Sequence, residues 1–129
     1  MAVETDTVTR IAEGGALGAG LAVMPGTDTN KQVKLPTGAG VRALGVVLIK
    51  ADAAGRPVTI AVGRKAPCVA KSAISVGDLI EVAGTDGKWK AAAPAAGVNA
   101  LVGGMALESA TLEDDIFEAV IFPSTMQGG

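Results

Sequence analysis

This chain has almost no aromatic side chains with which to build a core. Phe117, Phe122 and Trp89 are its three aromatic residues; Tyr and His are absent, and Cys68 stands alone. In their place are 24 Ala, 18 Gly and 15 Val, so three small residue types fill nearly half of the 129 positions. One buried aromatic ring removes about 150–250 Å² from water, worth several kcal/mol at roughly 25 cal/mol per Å². A core of Val, Ile, Leu and Ala gains less per residue, and each Gly carries a high ordering cost. Such a chain folds by packing β-structure closely against itself, and burial between identical copies supplies what a lone subunit lacks. A homo-oligomer is therefore expected.

The chain fits one domain, residues 1–129. Hydrophobic residues make up 49% against 19% charged, which disfavours disorder. No uncharged apolar run approaches the roughly 20 residues of a membrane helix. The opening Met1-Ala2-Val3-Glu4-Thr5-Asp6 lacks the basic and apolar regions of a signal peptide, so synthesis in a cytoplasm is expected. With a net charge of −2 there is no basic excess to neutralise phosphates, and neither nucleic acid nor membrane is expected as a partner.

Strand signals are short and frequent. Thr7-Val8-Thr9-Arg10-Ile11-Ala12 is rich in β-branched residues. Further strands are expected at residues 21–24, 31–35, 43–50, 58–62, 66–71, 79–82, 88–92, 99–107 and 116–122. Val46-Val47-Leu48-Ile49 reads as a strand covered on both faces, and Val58, Ile60 and Val62 alternate with a period of two. Asp86-Gly87 signals a two-residue hairpin. Gly103-Gly104 marks a bulge or a close backbone approach. Pro123 is expected to end the last strand, leaving 124–129 as a frayed tail. Residues 1–12 read as either an arm or a first strand. Eight to ten short strands without βαβ alternation predict an all-β fold, a compact antiparallel barrel or sandwich with an extended N-terminal arm.

Few residues carry chemistry. Gly14-Gly15-Ala16-Leu17-Gly18-Ala19-Gly20 lacks the Gly-Lys-Ser/Thr of a phosphate loop, and Gly87-Lys88 is followed by Trp89 where such a loop needs a hydroxyl. Lys88 at a hairpin tip lacks the triplets of biotinyl or lipoyl carriers. Cys68 has no histidine to activate it and reads as a small buried residue. Glu113-Asp114-Asp115 reads as a solvated acidic turn, because catalytic carboxylates need environments that split their pKa values. One Cys and no His exclude an ordinary zinc site. Trp89 reads as core or interface. No catalytic residues, metal or cofactor are expected, and the chain is not expected to be an enzyme.

One resemblance narrows the choice. Ala61-Val62-Gly63-Arg64-Lys65-Ala66-Pro67, then Ala73-Ile74-Ser75-Val76-Gly77-Asp78-Leu79-Ile80-Glu81-Val82, Gly87-Lys88, Val102-Gly103-Gly104-Met105-Ala106-Leu107-Glu108-Ser109-Ala110 and Glu118-Ala119-Val120-Ile121 resemble the capsid cement, or head decoration, proteins of tailed bacteriophages. The resemblance spans about residues 45–122. One departure is the usual Gly-Asp lead-in to the last strand, replaced by Asp114-Asp115. The resemblance implies a structural virion protein, a homotrimer on the outer capsid surface that clamps neighbouring major capsid protein subunits, with no cofactor. A tail or baseplate component, or a small β-barrel binding or carrier module, is the alternative. Ala2, Val3, Thr5, Val8 and Ile11 are the candidate contacts with the capsid or a neighbour, on an arm that adds a strand to a sheet edge.

Overall fold

The computed structural model describes residues 7–28, 30–93, 96–97 and 99–127. Ten strands carry the fold: β1 Thr7–Ala12, β2 Ala22–Pro25, β3 Gln32–Lys34, β4 Gly45–Ile49, β5 Pro57–Ala61, β6 Lys65–Val69, β7 Leu79–Val82, β8 Trp89–Ala91, β9 Asn99–Ala106 and β10 Ile116–Gln127. No helix occurs among the described residues. The fold is all-β, in two layers that divide the chain near residue 63.

The first half closes into a five-stranded barrel in the order β1-β3-β2-β4-β5, with β5 pairing back to β1 from Thr7↔Ala61 to Ile11↔Pro57. The parallel β1–β3 pair is short, Ile11↔Gln32 and Ala12↔Val33. The second half forms a sheet in the order β6-β10-β9-β7-β8. Its two outer strands meet at a single parallel bridge, Ala70↔Trp89, where the Lys71 N–H donates to the Trp89 carbonyl at 2.7 Å. Barrel closure and this bridge together limit the exposed edges that would otherwise recruit other chains.

The period of two along each barrel strand explains how the layers join. Val23, Val47, Ile60, Val33 and Val58 point into the barrel, with Ala12 and Leu17. Their immediate neighbours Ala22, Val46 and Ala61 point the other way, into a second core with Ile80, Val82, Trp89, Phe117, Ala119 and Ile121. Ala22↔Val46 and Val46↔Ala61 are cross-strand partners, so these three form one row on the barrel's outer wall. Small side chains there let the second sheet approach, and β4 is covered on both faces as its apolar run implies. Backbone hydrogen bonds sew the layers together: Ala22 N–H to Gly87 O at 2.7 Å, Gly40 N–H to Val82 O at 2.9 Å, and Val69 N–H to Gly20 O at 3.0 Å.

Two turn expectations are corrected. Asp86-Gly87 does not form a two-residue hairpin. The Gly87 N–H returns to the Gly84 carbonyl at 3.2 Å, and Ala83 pairs with Lys88, so the connection has four residues. Gly87 alone has positive φ there (+80°), and Asp86 does not. Pro123 does not end the last strand either. β10 runs on to Gln127, pairing Ser124↔Val102 through Gln127↔Asn99, so residues 124–127 belong to the strand. Between Ile121↔Gly104 and Ser124↔Val102, Phe122 and Pro123 face the single residue Gly103. Pro123 thus sits in a bulge, where a missing N–H costs no ladder bond.

Candidate docking surfaces

The chemical candidates fall away one by one. Cys68 is fully buried, and burial pushes its thiol up to about 12, so the thiolate needed for attack is suppressed. Lys88 does not stand free at the hairpin. Its Nζ lies 2.7 Å from Asp114 Oδ1 and 2.9 Å from Glu113 Oε2, and these bonds raise its pKa above the ordinary lysine range. Lys71 joins the same group, 3.1 Å from Asp86 and 3.2 Å from Glu113. Hydrogen bonds from Lys88 and then Lys71 hold Glu113 below the usual carboxylate range. Glu113 and Asp114 of the acidic run are therefore ion-paired, and with Lys71, Asp86 and Lys88 they tie the β7–β8 turn to the β9–β10 turn. Among the described residues no group of three or more His, Cys, Asp or Glu is placed to hold a metal ion.

The β9–β10 turn answers the question raised by Asp114-Asp115. Asp114 has φ +73° and is the one non-glycine residue with positive φ among the described residues. It takes the conformation of Gly77 (φ +89°) in the turn before β7. The hydrogen bonds of the two turns match. The Gly77 N–H donates to Ala106 O and the Ala106 N–H to Asp78 O, both at 2.8 Å. The Asp114 N–H donates to Ala70 O at 2.8 Å and the Ala70 N–H to Asp115 O at 2.9 Å. Between them, Ile74 and Ala110 exchange both their backbone bonds. The two segments are thus related by a local twofold axis, which one-residue-at-a-time sequence reading missed. The aspartates after the positive-φ residues play the same part. Asp78 Oδ2 accepts from Ser75 N–H at 2.9 Å, and Asp115 Oδ2 accepts from the Thr111 and Leu112 amides and the Thr111 hydroxyl, each at 3.0 Å. Those bonds, led by the Leu112 amide, lower the Asp115 pKa.

Both turns lie at the end of the sheet where the mutually parallel strands β7 and β10 begin. Each exposes a large apolar residue, Val76 at 63% and Leu112 at 69%, and Ile116 follows at 61%. With Ile49 of β4, also 61% exposed, they are the exposed large apolar side chains among the described residues. The sequence places Val76 and Leu112 in turns and Ile116 at the start of the last strand, but it does not say which of these side chains face outward.

The arm candidates divide. Ala2, Val3 and Thr5 lie outside the described residues. Thr7–Ala12 is a strand of the barrel wall. Its pairing fixes which side chains face in: Val8 opposes Ile60 and packs against the barrel core. Ile11 opposes the exposed Pro57 on the outer face and is half-buried.

Two shallow depressions lie at the barrel's opposite mouths. Lys50, Ala51, Asp52, Ala53, Arg56 and Pro57 line a polar one of about 310 Å³. Pro25, Arg42, Ala43, Leu44 and Val62 line an apolar one of about 360 Å³.

No protein-family model matches the chain. No curated protein matches it. Among solved structures it is similar to the head fiber gp8.5 N base of bacteriophage phi29, with a TM-score of 0.66 and 19% sequence identity, covering 89% of this chain and 92% of that one. The two share a fold. At this identity the likeness is one of backbone architecture over nearly the whole length of both chains.

Proposed function

We propose that this chain is a structural virion protein of a tailed bacteriophage, bound to the outer surface of the head. The observation that carries this reading is the near end-to-end fold similarity to a protein described as a phage head fiber base. The sequence resemblance to head decoration proteins, drawn from residues 45–122, points to the same place. The chemistry of the chain supports a non-catalytic role: its thiol is buried, its hairpin lysine is ion-paired, and its acidic turn is spent on backbone and lysine contacts.

The finer reading is a homotrimer that clamps neighbouring major capsid subunits. Each added trimer would bury surface across a seam of the assembled shell. Binding that favours the intact lattice stabilises it by mass action, and many weak contacts repeated over a shell add through multivalency. Val76, Leu112 and Ile116 supply apolar contact area, Ile11 a contact on the barrel's outer wall, and Ala2, Val3 and Thr5 the arm. Co-sedimentation of the purified chain with heads of its phage tests the reading. Heads that bind the full chain, and bind a variant lacking residues 2–6 more weakly, support it. Unchanged binding of that variant removes the arm from the account, and absence of binding removes the function.

A further inference from the structure

The exposed large apolar side chains fall into two groups on different layers. Ile49 belongs to the barrel. It is the cross-strand partner of Thr59, and Thr59 of Thr9, so the three form a row on the outer wall, facing away from the core that Ile60 enters. Pro57 and Ile11 form the next row. No charged residue interrupts either row, but cations border them. Lys50 follows Ile49, and Lys50, Arg56 and Pro57 line one depression. The second group is Val76, Leu112 and Ile116, at the turn end of the second sheet. Carboxylates border it. Glu118 shares the outer face of β10 with Ile116, and Glu108 Oε1 accepts from the Glu118 N–H at 2.8 Å. Glu108, Glu118 and Arg56 make no ion pair among the described residues, and Lys50 has only Asp52, at 3.5 Å. The layers differ in charge as a whole. Residues 7–62 hold six Lys or Arg and three Asp or Glu, a net +3, while residues 63–127 hold five and eight, a net −3.

We propose that these two patches are the two halves of one interface, the barrel patch of one copy meeting the sheet-end patch of the next. This rests on the proposed homotrimer and names the faces that join. Each patch has an apolar centre and a charged rim, the usual build of a protein contact. The argument is charge complementarity. Barrel patch against barrel patch would set Lys50 and Arg56 against their own copies, and sheet end against sheet end would do the same to Glu108 and Glu118. Like charges penalise both arrangements and opposite charges favour the mixed one. The contact therefore joins two different surfaces, head to tail. Such contacts close into rings or run on as filaments, and the trimer is the closed case. The contact also covers apolar side chains that a subunit poor in aromatic residues leaves outside its own cores.

Mixing two variants of the full chain tests the arrangement. Ile49→Asp spoils the barrel patch and Leu112→Asp the sheet-end patch, both at exposed positions, and melting curves check that each variant folds. In sedimentation analysis each variant alone is expected to associate at least about tenfold more weakly than the unmodified chain, since each puts an unpaired charge into an apolar contact. An equimolar mixture is expected to form a heterodimer, because one intact barrel patch meets one intact sheet end and neither partner can add a third copy. A mixture no more associated than its components at any concentration overturns the head-to-tail proposal. Variants that assemble as the unmodified chain does also overturn it, while leaving the homotrimer standing on other faces. An unmodified chain that stays monomeric overturns the proposal and the homotrimer together, and the place on the head is tested apart from both by co-sedimentation. Salt supplies a measurement that needs no substitution. Raising it from about 50 to about 300 mM is expected to weaken assembly of the unmodified chain at least about threefold, as opposite charges are screened. Assembly indifferent to salt overturns the part assigned to the charges.

Discussion

The Cζ3–Cη2 edge of the Trp89 indole lies against Gly103, so closely that a Cβ at Gly103 would fall 2.6 Å from Cη2. Trp89 is fully buried, and with Phe117 it forms the large-volume centre of the second core. A chain with so few aromatic residues concentrates two of them in one layer and makes room with glycine. The Phe122-Pro123 bulge faces that same glycine from β10.

Gly103→Ala therefore forces the ring or the strand to move. Overpacking of a tight core costs about 1–3 kcal/mol, and the upper half of that range is expected, because the opposing atoms belong to a rigid ring. Trp89→Leu in the Gly103→Ala background should recover part of the loss, giving a coupling energy between the two sites. Denaturant unfolding of the four chains in the cycle measures it, and strict additivity contradicts the packing account.

Asp114 supplies a second test. It takes a left-handed conformation that glycine adopts freely and β-branched residues resist. Asp114→Gly should be tolerated to within about 0.5 kcal/mol and Asp114→Val should cost about 1–3 kcal/mol. Thermal unfolding of both variants distinguishes this from a role through the Lys88 ion pair, in which the two substitutions would be equally harmful.

The two turns make a pH-dependent contribution to stability. Glu113 and Asp115 have folded pKa values below their ordinary 4.5 and 3.8. Their contribution is present above those values and is lost as pH falls through the depressed ones. Lys71 and Lys88 are raised above 10.5, so their contribution holds below that value and is lost as pH climbs through the raised ones. A plateau from just above pH 4.5 to just below 10.5 is expected. Glu113→Gln should lower the plateau and flatten its acid edge in melting curves taken across pH.

Cys68 reports on opening of the second core. With its thiol buried and pushed up to about 12, native protein at pH 8 should resist an aromatic disulfide reagent and react only as fast as the core opens. Rapid reaction in the folded state contradicts the burial.

Much of this architecture was legible residue by residue. The bounds of β1 and β7 follow from β-branched and apolar runs, and the double burial of Val46 and Val47 from their uninterrupted apolar stretch. The special role of Gly103 was visible as a glycine inside a strand. Three features depended on pairing and were not. Thr7–Ala12 reads as a strand from its β-branched residues, but which face turns inward, with Val8 inward and Ile11 outward, is set by the register against β5. Pro123 reads as a terminator because it lacks an N–H, yet a bulge asks for none. The twofold relation of the 74–78 and 110–115 segments rests on backbone hydrogen bonds, which Gly77 and Asp114 satisfy alike. The exposed Val76, Leu112 and Ile116 were hidden because apolar character alone does not say which face a turn presents.

The proposed place of this chain is the outside of a phage head. Electron cryomicroscopy of particles made with and without it is the most direct measurement. The account predicts added density on the outer face of the shell, matching a two-layer β-domain, and greater heat resistance of the particles that carry it. Density confined to the tail or the shell interior, or particles identical with and without the chain, would contradict it.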